Sequence, residues 1–194
     1  MGDFFNYHYR HLNVNIKEPV IYISNHKAVQ QQEIIETIRT KRIWTSGTRS
    51  WMELAKRGLW VEGSTDGLGL ESLHEIISQP VINLHRNDIH IITHEDGATH
   101  WANKGWKTTF TYSISPKVNP ILKEAMAKSE IIFWTSIHQY LQYKHVLSNS
   151  ILHMAPSGET ATLLQQQGIN PIIFPTIKSF EQWRKYSTRP LSVA

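Results

Sequence analysis

The chain has 194 residues with 20 Lys and Arg against 16 Asp and Glu, a net charge of +4, and 40% hydrophobic content that includes 7 Trp, 7 Tyr and 6 Phe. This composition excludes disorder, collagen-like repeats and coiled coil as global descriptions, and no apolar run approaches the roughly 20 residues that span a bilayer. Cys is absent, which excludes disulfides, thiolate nucleophiles and thiolate metal sites.

Short β-rich runs alternate with helical patterns. Val20–Ile23, Arg42–Thr45, Leu59–Val61, Ile89–Thr93, Lys107–Tyr112, Ile131–Trp134, Ile151–Met154 and Pro171–Phe174 read as buried strands. Between the second and third lies Ser50–Arg57, where Trp51, Leu54 and Ala55 fall at helical spacing with Glu53, Lys56 and Arg57 on the other face. Gly58, Gly105 and Gly168 follow helical stretches where a left-handed cap is wanted. Alternation of this kind implies an α/β fold with parallel sheets flanked by helices. Trp44, Trp60, Phe133 and Trp134, at strand ends, read as core.

The pattern occurs twice. Val20-Ile-Tyr-Ile-Ser24-Asn25-His26 resembles Ile132-Phe-Trp-Thr135-Ser136-Ile-His138, and Thr45-Ser46-Gly47-Thr48 with its helix resembles Pro156-Ser157-Gly158-Glu159-Thr160 with its helix. Two similar lobes are expected: an N-terminal extension over 1–17, a first lobe over 18–112 and a reduced second lobe over 113–194. Ser113-Ile-Ser115-Pro116 reads as the break between them.

Each strand that ends in Ser, Thr or Ser-Gly and runs into a helix presents hydroxyls and unpaired N–H groups at the positive end of the helix dipole, where carboxylates and phosphates bind. Any one such turn reads as an ordinary N-cap. Four of them point to an anion-binding cleft between the lobes, built from Ser24, Asn25, Ser46, Gly47, Thr48, Thr135, Ser136, Ser157, Gly158 and Thr160. His26 and His138 follow hydroxyl turns at equivalent positions, yet an i, i+2 pair at a helix start does not make a Ser-His-Asp geometry.

No metal or cofactor is expected. His94 and His100 are six apart, not the four that would put both on one helical face, and Gly63–Gly69 contains no dinucleotide or Walker pattern, reading as a lid or turn. The half from 98 onward is the more basic, but its Lys and Arg are dispersed singly, so a nucleic-acid partner is not expected. Met1–Asn6 has neither a secretory core nor a Ser or Thr at position 6 for myristoylation, and a cytoplasmic location without membrane attachment is expected.

In this order the motifs resemble the uroporphyrinogen-III synthase family. Phe133-Trp134-Thr135-Ser136 and Ala155-Pro156-Ser157-Gly158-Glu159-Thr160-Ala161 look like its second-lobe motifs, and Tyr22-Ile23-Ser24-Asn25 with Thr45–Thr48 like its first-lobe ones. Thr109-Phe110-Thr111-Tyr112-Ser113 is similar to its crossover strand. The chain departs from the pattern at Ile23 and Ala155, and lacks an opening strand-helix-strand with an early Thr-Arg.

The resemblance implies a cofactor-free lyase of haem biosynthesis that dehydrates and cyclises hydroxymethylbilane with inversion of its last pyrrole ring. The ten turn residues would hold this anionic linear tetrapyrrole, and Tyr112 would be the catalytic phenol that helps expel the hydroxyl. It also implies a reduced sheet in one lobe, whose exposed edge a second copy or another chain would cover.

Overall fold

The computed structural model describes residues 4–11, 15–66 and 69–186. The motifs at Met1–Asp3 and at Gly67-Leu68 lie outside them. The chain divides into two compact units, Met1–Lys117 and Val118–Ala194, both α/β with parallel sheets flanked by helices.

In the first unit the elements are β1 (Phe5–Tyr9), β2 (Val20–Ile23), α1 (Gln32–Ile38), β3 (Arg42–Thr45), α2 (Thr48–Ala55), β4 (Val61–Ser64), α3 (Leu70–Ile77), β5 (Ile89–His94), α4 (Glu95–Asn103) and β6 (Lys107–Pro116). Among the described residues they build a six-stranded sheet in the order β1-β6-β5-β2-β3-β4, parallel except for β1, which runs antiparallel to β6. The central strand β2 is buried at all four residues, as expected of a strand covered on both faces.

One face carries Ile21, Ile23 and Ile92 under Ile34, Ile35 and Ile38 of α1 and Leu54 of α2; the other carries Val20, Tyr22, Ile89 and Ile91 under Leu70, Leu73 and Ile77 of α3. Helical spacing of those apolar residues puts each set on one stripe. A fully buried Ile or Leu stabilises the fold by about 1.5–3 kcal/mol.

Two expectations are corrected here. Phe5–Tyr9 is not a bare extension: it pairs with β6 from Phe5↔Pro116 to Tyr9↔Tyr112. The same ladder carries the strand straight through Ser113–Pro116, so the units divide after Lys117 and not after Tyr112. Pro116 ends the strand at its margin, where a missing N–H is tolerated.

In the second unit the elements are α5 (Pro120–Ala127), β7 (Ile131–Phe133), α6 (Ile137–Tyr143), β8 (Leu152–Ala155), α7 (Glu159–Gln166), β9 (Ile172–Ile173) and α8 (Ile177–Tyr186). The sheet, parallel and in the order β7-β8-β9, repeats β2-β3-β4 of the first unit. The repeat extends to the helix ends. After α2, Gly58 N–H bonds to the Ala55 carbonyl and Leu59 N–H to Leu54; after α7, Gly168 bonds to Gln165 and Ile169 to Leu164. The glycines have φ of 76° and 78°, the left-handed geometry that this cap requires.

Three of the four aromatic strand ends pack inward, Trp134 most completely at 1% exposure, with Trp44 against the core and Phe133 stacked on Phe180. Trp60 does not. It is 80% exposed, because it sits in the connection leaving the Gly58 cap, before β4 begins. No helix among the described residues is long and apolar enough to cross a membrane.

Candidate functional site

In the first unit the chain winds outward from β2 through β3 to β4, then returns to the other side of β2 as β5. The connections from β2 and β5 therefore leave in opposite directions, which makes their carboxyl ends the topological switch point, where open sheets tend to bind ligands. Ser24 follows β2 and Thr93 lies near the end of β5; the Ser24 hydroxyl donates to Thr93 Oγ1 at 2.6 Å. Thr93 Oγ1 in turn lies 3.3 Å from His94 Nδ1. Sequence reading selected the residues of turns and so found Ser24, but it missed Thr93 and His94, which belong to the strand itself.

The other first-unit turn residues surround this point. Asn25 caps the short helix His26–Ala28, accepting from Lys27 N–H at 3.0 Å. The Ser46 hydroxyl donates to the Ser24 carbonyl at 2.5 Å, binding the ends of β2 and β3 together. Gly47 is the N-cap of α2 with no side-chain cap, and the exposed Thr48 donates to Asp66 at 2.8 Å, whose carboxylate also accepts from Ser64 at 2.6 Å. These two bonds hold the Asp66 carboxyl below its usual range. His26, whose N–H donates to Ser50 Oγ at 3.1 Å, has its pKa lowered by burial and then by the positive charges of Arg49 and Arg57.

Tyr112 stands opposite His94 in the β5–β6 register. Its ring is 4% exposed and packs against Tyr7 and Tyr9 of β1, with centroids at 5.9 and 5.8 Å, and against His94 at 5.9 Å. Burial first, then Tyr7 and Tyr9, pushes the phenol pKa above the usual range. The phenol therefore stays protonated at neutral pH, and it makes no hydrogen bond among the described residues.

In the second unit, Thr135 N–H and hydroxyl both donate to Gln139 Oε1, at 3.1 and 3.0 Å, and Ser136 caps α6 by accepting from His138 N–H at 3.3 Å. Ser157 precedes Gly158, the N-cap of α7 at φ 109°, and Thr160 lies in that helix's first turn. Behind them Trp134 Nε1 donates to His153 Nδ1 at 2.9 Å, with Tyr140 edge-on to both rings. Within each unit, then, the selected residues gather at the carboxyl ends of the strands.

The remaining constellations fall elsewhere. His94 is the N-cap of α4, while His100 sits toward the end of that helix, edge-on to Trp101. Of Gly63–Gly69, Gly63 and Ser64 belong to β4 and Gly69 caps α3.

The structure is similar to solved uroporphyrinogen III synthases of the extremely thermophilic bacterium Thermus thermophilus. A mutant form gives a TM-score of 0.49 at 12% identity over 87% of this chain and 77% of that one. The wild type gives 0.40 at 14% identity over 87% and 77%, and another structure of the enzyme 0.42 at 14% over 89% and 79%. The likeness extends no further than the architecture: no family model and no curated protein matches the sequence.

Proposed function

We propose that the chain is a uroporphyrinogen-III synthase-like lyase that dehydrates and cyclises hydroxymethylbilane. The observation that carries the reading is Tyr112, a buried phenol kept protonated and without a hydrogen bond, beside the switch point of a doubly wound sheet. Arg49 and Arg57 make that end of the unit electropositive around His26, which suits a polycarboxylate.

In this mechanism Tyr112 O–H donates to the departing hydroxyl of the substrate, which leaves as water together with that proton. The electron-poor azafulvene left behind is attacked by the substituted carbon of the last ring, and the spiro intermediate opens and recloses with that ring inverted. The protein's main contribution is to fold a linear molecule so that its ends meet. Helix N–H groups, left without a side-chain cap at Gly47 and Gly158, would hold the carboxylates without a cation for each. Incubation with freshly prepared hydroxymethylbilane, followed by separation of the product isomers, is expected to yield an excess of type III. Type I alone, the product of spontaneous closure, would refute the activity.

A specific observation favours a second reading, a bilobed protein that binds a tetrapyrrole or another protein without turning it over. Ser24, Ser46, Thr48 and Thr135 already spend their hydroxyls on protein acceptors, and Asn25 and Ser136 are N-caps. Saturable quenching of tryptophan fluorescence by a linear tetrapyrrole, with no type III product, would establish it over the first.

A further inference from the structure

We infer that Ser24 and Thr93 form a hydroxyl relay that fixes the tautomer and seat of His94 against Tyr112, a positioning role that rests on the synthase reading of Tyr112. The Ser24 hydroxyl donates to Thr93 Oγ1. Thr93 Oγ1 lies 3.3 Å from His94 Nδ1 and keeps one proton of its own after accepting from Ser24, and in this relay that proton goes to Nδ1. Nδ1 is thereby the acceptor, and the neutral ring carries its hydrogen on Nε2. Upstream, Ser46 holds the Ser24 carbonyl at 2.5 Å, so the ends of β2, β3 and β5 are locked in one chain of hydrogen bonds.

A second, independent feature marks the same spot. The first turn of α4 lies so close over the relay that a Cβ on Gly97 would stand 2.7 Å from Thr93 Oγ1 and 2.9 Å from His94 Cε1. Helical glycine costs about 1 kcal/mol relative to alanine, and here its bareness leaves room for the hydroxyl and the imidazole. His94 then meets the Tyr112 ring at a centroid distance of 5.9 Å. Thr93 and Ser24 touch no substrate atom in this scheme. They act through His94 on the placement of the phenol.

The test is two-bond proton–nitrogen correlation spectroscopy of the full chain labelled with nitrogen-15 histidine, recorded near pH 8, where imidazoles are neutral. The His94 signal is identified by its loss in His94→Asn. The wild type is expected to show the Nε2–H pattern, Thr93→Ser to keep it, and Thr93→Val to shift it toward the Nδ1–H form. A wild-type Nδ1–H pattern overturns the relay, as does an unchanged pattern in Thr93→Val. Should Thr93→Val not fold, the wild-type pattern together with a shift in Ser24→Ala decides the matter.

The kinetic arm separates the two claims. If the wild type makes no type III product, the synthase reading falls while the tautomer result still stands. If it does, Thr93→Val is expected to lower kcat between about tenfold and a hundredfold with KM nearly unchanged, and Thr93→Ser to restore it. An unchanged kcat overturns the positioning role.

Discussion

At the scale of single residues, Tyr112→Phe removes one hydroxyl that bonds to nothing described and leaves the packed ring in place. Its melting temperature is expected to stay close to wild type while type III product formation drops by about a hundredfold, the range of a lost general acid. An unchanged rate would make Tyr112 merely a packing residue between β1 and β5. Gly97→Ala is the converse case. The added methyl collides with Thr93 and His94, and a loss of about 1–3 kcal/mol is expected in chemical denaturation. Sequence reading reached Ser24, Ser46 and Thr48 because a hydroxyl before a helix has a recognisable signature. It could not reach Thr93, His94 or Gly97, since their importance comes from β5 lying beside β2, a pairing that no local spacing records.

The elements themselves were more legible. Parallel strands buried on both faces are written as continuous apolar runs, and Val20–Ile23 and Arg42–Thr45 stand where those runs put them. β1 escaped because its signal is alternation, Phe5, Tyr7 and Tyr9 with polar residues between, and one short alternating run without a visible partner does not declare a strand. Trp60 escaped because an aromatic beside a strand reads as core unless the preceding cap is known to throw it outward. That cap is testable. Nothing lies within 4 Å of a Cβ built on Gly58 or Gly168, so alanine there would be penalised only by the left-handed backbone. Gly58→Ala and Gly168→Ala are each expected to cost about 1 kcal/mol in denaturation midpoints, and equal penalties would confirm that the two units end these helices alike.

Across the whole molecule, acid should act in two pH windows, one set by histidines whose pKa burial lowers, His26 and His90 in the first unit and His153 in the second, and one by a paired carboxylate. In the second unit, burial lowers the His153 pKa below 6.5, and the donor-only indole of Trp134 cannot face a protonated Nδ1. The unfolded chain takes this proton first, so stability is full above 6.5 and declines as pH falls toward the lower folded value. His153→Gln keeps an acceptor that does not titrate and is expected to flatten that decline in denaturation midpoints measured against pH. In the first unit, burial would raise the Glu18 carboxyl, but the hydrogen bond from Lys107 at 2.8 Å, with smaller help from its own backbone and from His90, brings it down to about 2. Its contribution, reduced by solvent screening at the half-exposed Lys107, is present above the ordinary 4.5 and is lost as pH falls through about 2. Glu18→Gln should remove that part of the acid dependence and leave the His153 window untouched.

The antiparallel pairing of β1 with β6 has a consequence for biosynthesis. Residues 5–9 leave the ribosome well before their ladder partners, residues 112–116, so this segment must wait unpaired while the rest of the first unit is made. A nascent chain halted before Lys107 carries Phe5, Tyr7 and Tyr9 with nothing to zip onto, and chaperone capture of that aromatic segment should cease once β6 has emerged.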